Sequence, residues 1–152
     1  MTGTPRPGAV ELIHHYVRDL SFEHPNAPYS LMQSRDAVPE VNVEVTYRQL
    51  DAISFETQLT ITASAKAGDT VVAVVEMSYA GAYRMPEMAD ELRELFLMVD
   101  APRELFPFAR ALIALVTMSA GIPPLMIVAP NFQDTYRRMY AKMLEEKAQK
   151  VG

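Results

Sequence analysis

The chain has 152 residues, with 14 Lys and Arg against 19 Asp and Glu, so its formal net charge is −5. The length suits one domain with its own core, and the negative balance argues against nucleic acid as a main partner, because phosphate binding needs a basic surface. Cysteine is absent, which excludes disulfides, thiolate nucleophiles and cysteine-based zinc sites.

The first ten residues hold no long apolar run, so we expect a flexible lead-in without a targeting signal. The longest uncharged run, 111–133, is long enough for a membrane helix, but Gly121, Pro123 and Pro124 interrupt it. We therefore expect a cytoplasmic, soluble chain without membrane insertion. Its segments are a lead-in over 1–10, one domain over 11–145 and a tail over 146–152.

Four segments have the composition of β-strands: 11–22, 41–47, 55–63 and 71–79. The first has no strict period, whereas the later three alternate or are rich in β-branched residues. Pro25, Pro28 and Pro39 indicate a loop over 23–40. Because short links join the later strands, the pattern predicts an antiparallel sheet with one solvent-exposed face.

Three segments have helical periodicity: 88–99, 107–120 and the segment that begins at the N-cap Asn131. The buried stripe of the first would be Met88, Leu92, Leu95, Phe96 and Val99. The last has one apolar stripe: Phe132, Tyr136, Met139, Tyr140, Met143 and Leu144. Pro102 and Pro107 are expected to break the chain, with Pro107 in the first turn of the middle helix and Gly121 after its end.

The helix predicted over 107–120 carries only one charged residue, Arg110. A helix with almost no polar stripe is covered on both sides. Since one sheet covers only one side, we expect a second subunit on the other, in contact with Leu112, Leu115 and Val116. The alternative is that the segment 88–99 of the same chain covers it.

The sequence contains no recognisable catalytic or cofactor motif. The six glycines lack the spacing of a nucleotide-binding loop, and no serine has a nucleophile-elbow context. His14 and His15 are adjacent, so on a strand they face opposite ways and cannot chelate one metal together. Glu44 and Glu56 could oppose each other across two strands, although such residues more often form the solvated face of a sheet. Without such motifs, an enzyme is the less favoured class. The ten Met residues are typical of an adaptable binding surface, although any single Met more often belongs to the core.

Several motifs occur in the order found in one known family. Residues 18–28, RDLSFEHPNAP, closely resemble the D-I/L-S-F-E-x-P-N-A-P motif of the SecB family of bacterial export chaperones. Residues 101–110, APRELFPFAR, resemble the start of a helix in that family. The segments around Gly81, Gly121 and Pro130 follow in the same order, and together the matches extend over residues 11–140.

The resemblance implies an α+β fold, in which C-terminal helices pack on one face of a four-stranded antiparallel sheet, and a homotetramer built as a dimer of dimers. It implies an ATP-independent chaperone, without cofactor, that holds unfolded precursor proteins and delivers them to SecA, the translocation motor. The SecA-binding carboxylates would be Asp19, Glu23 and Glu76. Candidates for the client-binding groove lie near the proline-rich loops: Phe22, Tyr29, Met77, Tyr83, Leu125 and Met126.

Two alternatives stay open at this point. One is a SecB-like chaperone dedicated to a single client, such as an antitoxin, without SecA. The other is an adaptor oligomer that holds no client. The chain also departs from many relatives of the family, because Ala37 replaces a tryptophan and residues 142–150 replace an acidic tail with mixed charges.

Overall fold

The computed structural model describes residues 8–152 and shows a sheet followed by helices. The strands are β1 (Glu11–Glu23), β2 (Val38–Gln49), β3 (Ser54–Ala67) and β4 (Thr70–Arg84). The helices are α1 (Asp90–Leu95), α2 (Ala101–Ser119) and α3 (Phe132–Val151), with a π-helical turn (Phe96–Asp100) between α1 and α2. The strand order is β1-β4-β3-β2 with every pair antiparallel. The predicted α+β fold class is confirmed.

The helices pack on one side of the sheet, which we call the inner face. Odd-numbered residues of β3 and β4 point to this face, and those at its centre are fully buried together with one side of α2. The main core is formed by Leu59, Ile61, Val75, Met77, Leu105, Phe106 and Ile113. The opposite, outer face carries the even-numbered residues of β3 and β4. The sheet is therefore apolar toward the helices and polar on its other side, as the alternation in β2 and β3 predicts.

Gly81 allows α2 to approach the sheet closely. A Cβ atom at this position would lie 2.9 Å from Cδ2 of Leu105, which is completely buried in the core. Thr57, also on the inner face, donates a hydrogen bond of 2.8 Å to the carbonyl oxygen of Leu97 in the π-helical turn. These two contacts fix how the helical half of the chain is seated on the sheet.

The prediction that the middle helix begins at Pro107 is wrong. The helix α2 begins at Ala101, directly after the π-helical turn, and Pro102 lies in its first turn. Pro107 lies inside the helix on its exposed side, where water can bond the carbonyl group that the proline leaves free. The predicted end is correct, since Gly121 follows the helix with a positive φ of 81°.

The buried stripe predicted for 88–99 is also wrong in part. Leu92 is 61% exposed, while Leu97, Met98 and Val99 are buried. The π-helical turn adds a residue to the helix and rotates the following side chains toward the core. Periodicity alone assumes 3.6 residues per turn and does not detect such an insertion.

A smaller difference concerns the loop before β2, and two further observations concern the ends of the chain. The segment 23–40, predicted as a loop, contains a short 3-10 helix (Tyr29–Asp36), and β2 begins at Val38. Within the segment 146–152, which was assigned to a tail, α3 continues as far as Val151. Most of the predicted lead-in 1–10 lies outside the described residues. Among residues 8–152, no helix has the length and apolarity needed to span a bilayer.

Candidate client- and partner-binding surfaces

An acidic surface covers one half of the outer face. Asp19 of β1 lies opposite Ser78, Ser21 lies opposite Glu76, and Glu23 lies opposite Val74. The three carboxylates that the sequence singled out, Asp19, Glu23 and Glu76, are therefore on the same face of two neighbouring strands, and all three are exposed. The structure brings them together over three consecutive rows of the sheet.

Two further carboxylates, which the sequence did not place with the first three, extend the same rows across the sheet to β2. Glu40 is in the row of Glu23, and Glu44 is in the row of Asp19. None of the twelve residues in these rows is a lysine or an arginine. We call the five residues Asp19, Glu23, Glu40, Glu44 and Glu76 the acidic surface. Glu40 and Glu44 could not be assigned from sequence, because their place depends on which strands pair and in which register.

The other half of the outer face holds a buried carboxylate. Glu56 of β3 is only 3% exposed because Arg48 of β2 and Tyr16 and Arg18 of β1 cover it. Arg18 Nη1 donates to Oε1 of Glu56 at 2.8 Å, Arg48 Nε donates to the same oxygen at 2.9 Å, and the Tyr16 hydroxyl donates to Oε2. Glu44 and Glu56 do not oppose each other, since the strand partner of Glu56 is Arg48 and that of Glu44 is Thr60. The alternative, that both belong to the solvated face, holds for Glu44 but not for the buried Glu56.

Burial pushes the pKa of Glu56 upward, but its hydrogen bonds and the two arginine charges outweigh burial, so the pKa lies below its usual value of 4.5. The carboxylate is therefore ionised over the physiological range. Its ionised form is stabilised by groups from both edge strands, β1 and β2. The side chain of Glu56 on β3 thus bonds both edge strands at this end of the sheet: β2 is its direct neighbour, and the bonds to β1 pass over β4.

An apolar groove runs along the inner side of β2, beneath α3. One part, of about 320 Å³, is lined by Val43, Val45, Met98, Tyr136 and Met139 with neighbouring polar residues. A larger part, of about 1010 Å³, continues past Tyr136 and is lined by Tyr47, Leu95, Tyr140, Met143 and Leu144, with charged residues at its rim. The two parts share Tyr136, and we call them together the β2–α3 groove. In the described chain it is open, and most of its methionines and tyrosines are substantially exposed.

The rim of the groove is charged. Burial, together with the nearby Glu94 carboxylate, raises the pKa of Tyr47 and of Tyr136. Both phenols therefore stay neutral at physiological pH and present an apolar ring with a hydrogen-bonding hydroxyl. Arg93, Arg137 and Lys147 also line the larger part of the groove. The groove can accommodate apolar and aromatic side chains and still offer polar partners to a bound backbone.

The groove residues proposed from the sequence do not form one surface. Met77 and Tyr83 are each 1% exposed and belong to the core, so they are not available as groove surface in this structure. Phe22 and Leu125 are half-buried against the core. Tyr29, the first residue of the 3-10 helix, and Met126, in the segment after α2, are well exposed. The apolar stripe of α3 was the sequence signal for the β2–α3 groove. Only Phe132 of this stripe is buried, so its other members are left as apolar surface.

A second apolar area lies where β1 meets α2. Leu115 is 52% exposed, and Val17, Leu20, Phe108 and Met118 are exposed to a similar degree. His15 joins the two elements, since its ring lies 4.5 Å from that of Phe108 and hydrogen-bonds the Tyr79 hydroxyl. Nothing among residues 8–152 covers this area. The alternative that the segment 88–99 covers the outward side of α2 is therefore wrong.

Comparison with known proteins identifies the family. The family model described as preprotein translocase subunit SecB matches residues 4–143.

The chain belongs to the SecB family.

Relatives named protein-export protein SecB agree with this assignment. The one from Afipia carboxidovorans is 38% identical over 146 residues, which cover 94% of this chain and 89% of the relative. The one from Rhodospirillum centenum is 42% identical over 125 residues, covering 81% and 74%. Among solved structures, a SecB-like chaperone of Mycobacterium tuberculosis in complex with an antitoxin peptide has a TM-score of 0.67. It is 15% identical, with 80% of this chain and 90% of that chain covered, and supports the fold.

The motif that resembles the SecB family ends in an ordered turn beside the sheet. Phe22 points to the inner face opposite Val75, and Asp19 and Glu23 point to the outer face. After the strand, the side-chain amide of Asn26 donates a hydrogen bond of 2.9 Å to the carbonyl oxygen of Val71 at the start of β4. The motif thus anchors the end of β1 while it exposes two carboxylates.

Proposed function

We propose that this chain is an ATP-independent holding chaperone that binds unfolded precursor proteins in the β2–α3 groove and delivers them to SecA through the acidic surface. The observation that carries the proposal is the pair of surfaces on opposite faces of one sheet in a member of the SecB family. A client on the inner side would leave the outer face free for a second protein.

The groove has the chemistry expected of a promiscuous client site. An unfolded chain exposes apolar side chains that it cannot yet bury, and an open apolar surface can take them from water. Met139 and Met143 are flexible and adapt to side chains of different shape. Tyr47 and Tyr136 add rigid aromatic surface with a polar end. Recognition of this kind depends on exposed apolar area rather than on a sequence motif.

The acidic surface has the chemistry expected of a site for a basic partner segment. Five carboxylates occupy three rows of the outer face without a compensating base. Charge complementarity of this kind accelerates association and fixes orientation. SecA delivery through Asp19, Glu23 and Glu76 is the function that the family resemblance implies, and Glu40 and Glu44 extend the proposed contact toward β2.

The apolar area between β1 and α2 supports the proposal of a tetramer. Exposed Leu115 and Phe108 on α2 lie beside the exposed inner side of the edge strand β1. A contiguous apolar area of this kind is unfavourable in a monomer and is typical of an oligomer interface. We propose that further copies of this chain cover it, with Leu112, Leu115 and Val116 in the contact.

Replacing Asp19 by Asn together with Glu23 by Gln is expected to weaken binding to the cognate SecA severalfold, most strongly at low salt. The reason is that these exposed carboxylates would contribute long-range attraction, which salt screens. The melting temperature should change little, since exposed surface substitutions shift stability within about ±0.5 kcal/mol. Calorimetric titration at two salt concentrations measures both the affinity and its salt dependence.

The matched control is Glu145→Gln with Glu146→Gln, which removes the same number of charges from the exposed end of α3. We expect the control to bind SecA as the parent does. Equal SecA affinity for the Asp19/Glu23 variant and the parent would contradict the docking assignment. Unfolding of that variant would show that the two carboxylates are structural.

A further inference from the structure

The edge strand β1 changes its alternation at Arg18. From His14 to Val17, which follow an earlier register shift after Leu12, His14 and Tyr16 lie opposite Ala82 and Ala80 on the outer face, so even-numbered residues point outward. After Arg18, Asp19 lies opposite Ser78, so odd-numbered residues point outward. The register shifts between Val17 and Asp19, and Arg18 is the extra residue of a β-bulge. Without this bulge, strict alternation would send Asp19 and Glu23 to the inner face.

The guanidinium group of the bulge residue is bound two strands away. Arg18 reaches across β4 to Glu56 on β3, over the small side chains of Ala80 and Ala82. Glu56 is itself fixed by Arg48 and Tyr16 and is almost fully buried. A bulge on an edge strand lacks a second neighbouring strand to hold it, and here an ion pair on the outer face supplies that restraint.

We propose that Glu56 is a positioning residue for the acidic surface: by binding Arg18 across β4, it holds the bulge in place and so keeps Asp19 and Glu23 on the outer face. The geometry of this inference stands by itself, and only its link to SecA rests on the proposed function. When the ion pair is lost, the bulge can move along β1, and the segment after residue 17 would then pair in more than one register.

The test compares two variants that both lose the Arg18 guanidinium. In Arg18→Ala the extra residue remains, so the bulge is free to move. Deletion of Arg18 removes the extra residue, and strict alternation then places Asp19, Ser21 and Glu23 on the outer face without a bulge. In both variants Glu56 keeps Arg48 and Tyr16 as partners, which protects the fold. Glu56→Gln is a third variant, which weakens the restraint by removing the negative charge that binds Arg18.

The readout is a disulfide trap, for which the absence of native cysteine gives a clean background. Cysteines at Ser21 and Glu76 are directly opposite in the present register. We expect disulfide formation under mild oxidation to be severalfold slower in Arg18→Ala and Glu56→Gln than in the parent, and to return to the parent rate when Arg18 is deleted. A control trap at Thr60 and Ser78, between β3 and β4, should form equally in all four chains.

Equal trapping at Ser21 and Glu76 in all four chains would overturn the proposal, as would a deletion variant as slow as Arg18→Ala. SecA affinity, measured on the same variants without the trap cysteines, separates this inference from the proposed function. If SecA affinity falls in Arg18→Ala and recovers in the deletion variant, the result supports both the positioning role of Glu56 and SecA docking on the acidic surface. Trapping that changes as expected while SecA affinity stays constant supports the positioning role and contradicts SecA docking on this surface.

Discussion

Leu115→Glu is expected to dissociate the proposed tetramer into smaller species. Leu115 is 52% exposed in one chain and lies among other exposed apolar residues of α2 and β1. Loss of a buried leucine contact costs about 1.5–3 kcal/mol per subunit, and an unpaired carboxylate in an apolar interface adds a larger desolvation cost. Because the position is exposed in the isolated chain, the fold of the subunit itself should survive. Light scattering at micromolar concentration measures the change in mass, and circular dichroism measures the fold.

A control for this experiment is Gln133→Glu, which adds the same charge at an exposed position in the first turn of α3. A negative charge is tolerated near the N-terminus of a helix. We expect the control to keep the mass of the parent. A parent that is a stable monomer at micromolar concentration, or a Leu115→Glu variant with the parent mass, would contradict the assignment of this interface.

Met139→Glu is expected to weaken client holding strongly while leaving assembly unchanged. Met139 lines the narrow part of the β2–α3 groove and is partly exposed there. Met139 is 45% exposed, so loss of its client contact removes about half of the ~1.5–3 kcal/mol of a fully buried side chain, which is roughly a 3- to 10-fold loss of affinity. The unpaired carboxylate in an apolar contact adds a desolvation cost. The expected effect on the free energy of unfolding is small, because the side chain is not part of the core. Fluorescence titration with a permanently unfolded precursor measures the affinity.

The matched control is Lys142→Gln, which makes the same change in net charge on a part of α3 that does not line the groove. Client affinity should be unchanged in this control. If Met139→Glu and Lys142→Gln hold clients equally well, the client site lies elsewhere, and the segments that carry Tyr29 and Met126 become the next candidates.

The sequence predicted the four strands because their alternation depends on neighbouring residues. It did not predict the start of α2 correctly. A proline is tolerated inside a helix where the carbonyl group that it leaves without a donor can bond water, as at Pro107. It also missed the π-helical turn, which shifts burial from Leu92 to Leu97 by a single inserted residue. Local patterns therefore specified the elements, while the side of each helix that is buried depended on tertiary packing.

The surfaces were harder to predict than the elements. Asp19 and Glu23 were found through the family motif. Their position on the same face as Glu76 depends on the bulge at Arg18, which the irregular pattern of 11–22 does not locate. The sequence pattern gives Glu56 as a solvated carboxylate, because its three hydrogen-bonding partners lie on β1 and β2 and are brought to it only by the strand order. The β2–α3 groove joins residues almost a hundred positions apart, and only the fold reveals that they meet.

The most direct test of the proposed function is the refolding of a slowly folding precursor after dilution from denaturant, followed with and without a molar excess of this protein and in the absence of ATP. Unfolded chains expose apolar surface that the β2–α3 groove can bind, whereas the native precursor has buried it. We expect the protein to delay refolding markedly, to bind the unfolded precursor and to leave the native form unbound. Refolding at the same rate in the presence and absence of the protein would contradict a holding chaperone.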